Sequence, residues 1–306
     1  MIFLDFEKTL KDIKSIKIQG AENIAKAASA AILSLVNNSV SKHASDLKSE
    51  ITKAYERLKN ARPTEPMMRN CMWYLCHDLS SKNVEDILRN ITIRYNEISS
   101  HLKSSIEKIA YMGSLKIKKG MVVYTHCHSS TVVSILKKAK DRGVSFEVHV
   151  TETRPKYQGR ITAKELYDYG IPVRYYVDSA ARMAIKKADI MLIGSDAITS
   201  TGKVINKVGS EMFAEIANKF DVPVYACTDS WKFDPLTIFG YDEEIERRDP
   251  EEFWSGKPIG LKIDSFIFEK IDPELISGII SELGIFKPFS FGDELKRVYP
   301  WIMKVR

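Results

Sequence analysis

From about residue 118 onward the chain alternates short β-rich runs with helical stretches, and nothing constrains its fold more than that rhythm. "MVVYTHC", "FEVHVTE", "IPVRYYVD", "IMLIGSD" and "VPVYACT" are the β-rich runs, and "VVSILKKAKDRG", "TAKELYDYG", "SAARMAIKKA" and "SEMFAEIANKF" separate them. Alternation at this spacing predicts right-handed βαβ crossovers and a parallel sheet with both faces covered. Near-continuous apolar strands fit, because strands buried on both sides have no polar face.

The first third reads differently. "GAENIAKAASAAILSLVNNS", "SDLKSEITKAYERLKNA" and "NVEDILRNITIRYNEISSHLKSSIEKIAYMGSLKI" carry apolar residues at three- and four-residue spacing, and no strand is expected before about residue 118. The expected fold class is α/β, with a helical N-terminal domain over residues 1–115 and a Rossmann-like, doubly wound parallel sheet domain over 116–306. Near the end, an apolar run "LKIDSFIFEKI" precedes a predicted helix "DPELISGIISELG".

Composition narrows the partners. Lys+Arg of 46 against Asp+Glu of 40 gives a net charge of +6, dispersed and without an arginine-rich block. This excess lacks the basic–aromatic interleaving of nucleic-acid binders, and an anionic small molecule such as a sugar phosphate explains it as well as RNA does, so charge alone decides nothing. No nucleic-acid partner is expected. The start, "MIFLDFEKTLKDIKSI", has no basic n-region and long apolar run, and no stretch approaches the roughly 20 apolar residues that span a bilayer. No membrane partner is expected, and the expected location is the cytoplasm. The four cysteines (71, 76, 127 and 227) have no paired zinc spacing and read as reduced thiols.

In open parallel sheets, ligands bind beyond the carboxyl ends of the strands. There the sequence sets Thr125-His126-Cys127-His128 with Ser129, Ser130 and Thr131, then Glu152-Thr153-Arg154, Asp178, Gly194-Ser195-Asp196 and Asp229-Ser230-Trp231-Lys232. Strand alternation would turn His126 and His128 to one side and Cys127 to the other, and no third ligand lies at a suggestive spacing, so a metal site is not expected. Cys127 alone reads either as a small buried hydrophobe or as a thiol that the following helix N-terminus would acidify. Hydroxyls and amides at 129–131 offer an anion site. Asp196 reads either as a turn cap or as an acid whose pKa burial raises. Behind it, Gly202, Asn206, Lys207 and Gly209 read as a flexible loop before a helix, suited to phosphate or hydroxyl recognition. Neither a Walker A pattern nor GxGxxG is present. On their own, Gly20-Ala21 read as a helix start, Arg62 as a solvated arginine, and Cys71, Cys76 and His77 as core.

Together "GAENIAKAA", "ARPTEP", "THCHSS", "TETRPKYQGRITAKEL", "GIPVRYYVDSA", "ADIMLIGSDAI", "GKVINKVGS" and "SWKFDP" resemble one superfamily over nearly the whole chain. It comprises methylthioribose-1-phosphate isomerases, archaeal ribose-1,5-bisphosphate isomerases and the initiation factor 2B regulatory subunits. The "THCHSS" and "GSDAI" motifs and the chain length resemble the ribose-bisphosphate branch most. That resemblance implies Cys127 as proton acceptor and Asp196 as proton donor. It implies substrate contacts at Gln19, Gly20, Ala21, Glu22, Arg62, Ser129, Ser130, Thr131, Asn206, Lys207 and Lys232. It also implies a sugar bisphosphate substrate, AMP as a possible activator, a homo-oligomer (dimer or hexamer) and no cofactor. One departure stands out: the family's Arg-Gly-Ala is here Gln19-Gly20-Ala21, with Glu22 adding negative charge beside an expected phosphate. A regulatory subunit that binds a sugar phosphate or nucleotide, or a methylthioribose-1-phosphate isomerase, is the alternative reading.

Overall fold

The structure, a computed structural model, describes residues 5–242 and 245–305. Five helices come first: α1 (Phe6–Lys14), α2 (Ala21–Asn37), α3 (Ala44–Ala61), α4 (Pro66–Cys76) and α5 (Val84–Ser114). The apolar periodicity that predicted them becomes their packing. Ile24, Ala28 and Ile32 of α2, Leu47, Ile51 and Leu58 of α3, and Met68 and Leu75 of α4 share one core. Each fully buried Ile or Leu there contributes about 1.5–3 kcal/mol. Asn83 caps α5 by accepting from the Glu85 amide at 2.9 Å. This helix runs unbroken for 31 residues.

The second part runs β1 (Val122–Thr125), α6 (Ser130–Asp141), β2 (Glu147–Thr151), α7 (Gln158–Asp168), β3 (Val173–Tyr176), α8 (Ala181–Ile185), β4 (Ile190–Ile193), β5 (Ala197–Ile198), β6 (Val204–Lys207), α9 (Ser210–Lys219), β7 (Val224–Cys227), β8 (Phe268–Ile271), β9 (Gly278–Ser281), β10 (Gly284–Phe286) and α10 (Pro288–Val298). The main sheet has seven strands in the order β10-β9-β7-β4-β1-β2-β3. All neighbours are parallel except the β9–β10 hairpin. Val123, Val148, Ile190 and Leu192 pack with Ile135 and Leu136 of α6 on one face, while Tyr124, Met191 and Ile193 join Phe213 and Ala214 of α9 on the other. The order reverses around β1, whose neighbours are β4 and β2. That is the switch point at which such sheets open a crevice.

The expected α/β class and all five β-rich runs are present. Two readings are corrected. "DPELISGIISELG" is not a helix: a 3-10 turn at Pro273–Leu275 leads into β9, whose four residues are all buried. Pairing with β7 (Tyr225 opposite Gly278) draws Ile279 and Ile280 into the sheet. The stretch holding Asn206 and Lys207 is not a flexible loop but strand β6, central in a small antiparallel sheet ordered β5-β6-β8. Register with β8 (Asn206 opposite Glu269, Lys207 opposite Phe268) fixes both side chains. Among the described residues, no helix is long and apolar enough to cross a membrane.

Candidate active site

A cavity of about 420 Å³ lies at the carboxyl ends of β1 and β4, closed on one side by the starts of α2 and α4. Cys127, Asp196, Gln19, Gly20, Ala21, Glu22, Arg62, Ser129, Ser130, Thr131, Asn206, Lys207 and Lys232 all line it. The fold thus gathers every residue singled out as a catalytic or substrate contact into one space. They come from six separate segments of chain.

The Cys127 segment departs from the expected strand geometry. Strand β1 stops at Thr125, and Cys127 itself adopts a left-handed φ of 68°. Such backbone in a non-glycine residue costs about 1–3 kcal/mol and persists only where its surroundings hold it. Here the Cys127 amide donates to Thr153 Oγ1 at 2.9 Å, and Thr162 Oγ1 donates to the Cys127 carbonyl at 2.8 Å. Alternation therefore does not extend through 126–128. His126 bonds Thr151 Oγ1 at 2.9 Å and the Val208 carbonyl at 3.0 Å. A carbonyl only accepts, so Nε2 carries the proton. Burial pushes this imidazole down to about 4, keeping it neutral. His128 Nδ1 sits 3.1 Å from Thr162 Oγ1, whose own proton goes to Cys127, so His128 donates. Both imidazoles are engaged in holding the turn.

Burial pushes the Cys127 thiol up to about 11, against the pull of the Lys207 charge and a backbone hydrogen bond, with Asp196 and Asp178 adding to the rise. The sequence-level expectation of an acidified thiol is therefore overturned: α6 begins three residues later, and desolvation outweighs its N-terminus. Asp196 rises as expected, through burial, with Lys232, Lys207 and Arg62 opposing. Its amide is fixed by donation to the Ile205 carbonyl at 2.8 Å. Gly194, two residues earlier, is required by crowding, since a Cβ there would lie 2.8 Å from Ser129 Cβ. That close approach seats the α6 start against the Asp196 turn. Ser129 caps α6, accepting from the Val132 amide at 3.4 Å, so the first-turn amides of Ser130 and Thr131 face the cavity mouth.

The cations are anchored. Lys232 Nζ donates to the Ser195 carbonyl at 2.6 Å, and Lys207 lies over the Phe268 ring at 4.6 Å. Asn206 Nδ2 donates to Ser210 Oγ at 3.0 Å. Arg62 is not the solvated arginine its loop suggested: it is 7% exposed and bonds Glu65 at 2.6 Å and Glu246 at 3.4 Å. Gln19 lines the cavity with its Nε2 already donating to the Ile16 carbonyl at 3.1 Å. The Glu22 charge is met by Lys26 at 2.5 Å, one helical turn on.

Among the lining residues that escaped the sequence reading are Glu65, Gln158 and Arg248. Glu65 had a signal, a carboxylate three residues after Arg62 at the mouth of α4. Gln158 lies inside the "TETRPKYQG" motif, and its buried Oε1 has no partner among the described residues. Arg248 comes from a distant loop with nothing in its pattern to mark it. Beside the cavity, His101, Asp229 and Glu282 cluster closely enough to hold a cation. Hydrogen bonds already account for them: Asp229 Oδ1 takes His101 Nε2 at 3.1 Å and the Trp231 amide at 2.8 Å. Glu282 takes the Ser230 amide at 3.0 Å and its hydroxyl.

A helical domain set on a doubly wound sheet, with a cavity at the switch point lined by a thiol, carboxyls and cations, defines the class, an α/β protein. A profile of the Initiation factor 2 subunit family matches residues 17–288, and the chain belongs to that family. It is 36% identical over its whole length to the ribose 1,5-bisphosphate isomerase of Pyrococcus furiosus, covering 98% of that protein. It is also 36% identical to the enzyme of the same name from Methanocaldococcus jannaschii, over 97% of this chain and 96% of the relative. Among solved structures, the Pyrococcus horikoshii translation initiation factor eIF-2B aligns with a TM-score of 0.80 at 27% identity, over 92% of this chain and 97% of that one. The resemblance read from the motifs holds.

Proposed function

We propose that the chain is a sugar-phosphate isomerase that converts ribose 1,5-bisphosphate to ribulose 1,5-bisphosphate, with Cys127 as the base and Asp196 as the acid. One observation carries this reading: a thiol and a carboxyl with raised pKa values line one cavity from the ends of adjacent strands, among four cations, Arg62, Lys207, Lys232 and Arg248. The names of the relatives from P. furiosus and M. jannaschii support the same chemistry.

In an aldose 1-phosphate the anomeric oxygen is esterified, so the ring does not open freely. Asp196 gives its proton to the ring oxygen as the C1–O bond breaks, and the Cys127 thiolate takes the proton from C2. The thiol then returns that proton to C1, and the C2 hydroxyl proton passes back to the Asp196 carboxylate, leaving a ketone at C2. Both side chains end as they began. The reactive form is thiolate plus carboxylic acid. Lys207 favours the thiolate, and burial favours the neutral acid. Amides and hydroxyls at 129–131 with Asn206 and Lys207 suit one phosphate, and Arg62 suits the other.

The same reading places the reaction in AMP salvage in a reducing cytoplasm, with AMP as activator and a homo-oligomer, dimer or hexamer, as the working form. Assaying the purified protein on ribose 1,5-bisphosphate and on methylthioribose 1-phosphate tests it. Turnover of the first alone is expected. Turnover of the second alone would move the chain to the other isomerase branch. No turnover of either, with retained binding of a sugar phosphate or nucleotide, would favour a regulatory subunit like the P. horikoshii factor.

A further inference from the structure

Glu65 is a cavity residue that the acid–base chemistry leaves unused. It lies at the start of α4, is 7% exposed, and binds Arg62 Nη2 through Oε1 at 2.6 Å, while its Oε2 has no partner among the described residues. Arg62 is equally buried, and its Nε and Nη1 are also without partners there. A guanidinium grips a phosphate through two parallel N–H groups. Both forks that Arg62 can offer, Nε with Nη2 or Nη1 with Nη2, draw on Nη2, which carries one N–H for each fork and meets Glu65 at 2.6 Å and Glu246 at 3.4 Å. A bidentate phosphate therefore competes with these carboxylates for Nη2, and in the buried space beside Arg62 its charge repels the charged form of Glu65.

We propose that a phosphate group binds Arg62 by displacing Glu65 from its guanidinium, and that Glu65 takes up a proton from solvent as it is displaced. Glu65 is thereby a specificity-determining residue, resting on the reading of the cavity as a sugar-bisphosphate site. A dianion competes for Arg62 and a neutral group does not, so a ligand with an apolar group at this end leaves the ion pair closed.

The surroundings favour that exchange. Glu65 faces Arg62 at the end of α3, Asp196 after β4, Lys232 after β7, and Glu246 of the loop before β8. Arg248 closes the far side of Glu246, with 3.1 Å between Nε and carboxylate. Burial raises the Glu65 carboxyl to about 7, Arg62 and Lys232 pull it down, and Asp196 and Glu246 push it up. Losing Arg62 to a phosphate removes the main force holding the carboxylate charged, and the arriving charge opposes it further, so the acid form prevails in the complex. No other bond changes: one carboxylate becomes one carboxylic acid.

Inorganic sulfate is the probe, because its charge is constant from pH 6 to 9. Sulfate binding to the full chain is measured across that range for wild type, Glu65→Gln and Arg62→Gln, and the Arg62-dependent part is taken by difference. Expected for wild type is an affinity that falls about tenfold per pH unit above the folded pKa of Glu65. Glu65→Gln should give a flat profile and bind at least as tightly as wild type at pH 8. A flat wild-type profile, an unchanged slope in Glu65→Gln, or no Arg62-dependent binding would overturn the proposal. Should Glu65→Gln fail to fold, wild-type calorimetry in two buffers of different ionisation enthalpy decides: about one proton taken up per sulfate at pH 8 is expected, and none would refute it. Ribose 1,5-bisphosphate turnover, assayed in parallel, separates this from the isomerase reading. Turnover with no proton linkage sinks only the Glu65 role; linkage without turnover sinks only the isomerase.

Discussion

Arg69 of α4 and Asp234, just after the turn that carries Lys232, meet at 2.7 Å with side chains 4% and 1% exposed. This ion pair ties the helical domain to the sheet domain directly behind the cavity. Asn70 reinforces it, its Nδ2 donating to the Trp231 and Phe233 carbonyls at 2.7 and 2.8 Å. Removing one partner strands the other charge in the interior, so Arg69→Met should cost about 3–5 kcal/mol in chemical denaturation. The double variant Arg69→Met/Asp234→Leu should recover most of that loss.

Replacement of the reacting groups should stop turnover without unfolding the protein. Cys127→Ser and Asp196→Asn are each expected to lower kcat by about 10²–10⁴-fold, the usual weight of acid–base catalysis. Far-ultraviolet circular dichroism and the thermal midpoint should stay close to wild type. Near-normal kcat in either variant would remove that residue from its role.

The two raised pKa values make an unusual pH profile. The reactive form, thiolate with carboxylic acid, is a fixed minor fraction between the two ionisations, so kcat should be level across neutrality. It should fall on the acid side only as pH drops through the raised Asp196 value, and on the alkaline side only toward about 11. Iodoacetamide should tell the same story, with its reaction at Cys127 still accelerating at pH 9.5. An alkaline limb of kcat near pH 8 would contradict the burial of the thiol.

Gly159, in the first turn of α7, packs where a Cβ would stand 1.8 Å from the Thr151 carbonyl oxygen. Backbone cannot yield cheaply, so Gly159→Ala should destabilise by more than about 1–3 kcal/mol in urea titration. The damage should reach the chemistry as well. Thr151 and Thr153 hold His126 and Cys127, so kcat of the folded fraction should drop too. A stable, fully active variant would show that α7 floats freely over β2.

The sequence made the parallel strands legible because β-branched runs alternate with amphipathic helices, and it located Cys127 and Asp196 because polar residues cluster past strand ends. What it concealed was tertiary. Ile279 and Ile280 keep a helix-compatible pattern, and only the neighbouring β7 makes them a strand. Asn206 and Lys207 looked like loop residues until β8 paired with them. The direction of the thiol's pKa stayed open because helix starts are visible in a sequence whereas desolvation is a property of the assembled cavity. Arg248 could not be found at all, since only folding brings its loop to Glu246.

Strands β1 and β4 are direct neighbours, with Thr125 opposite Leu192. Cys127 follows the first of these strands by two residues and Asp196 follows the second by three. Neighbouring strands sit about 4.8 Å apart, a spacing dictated by backbone hydrogen bonds and not by any side chain. The sheet thus acts as a ruler between Cys127 and Asp196, one that drift in the peripheral loops cannot easily stretch. The other lining residues hang from separate segments, among them the α2 and α4 mouths and β6. A scaffold so divided can trade one ligand for another, or give up turnover for sensing, by editing its rim while the distance at its centre stays fixed.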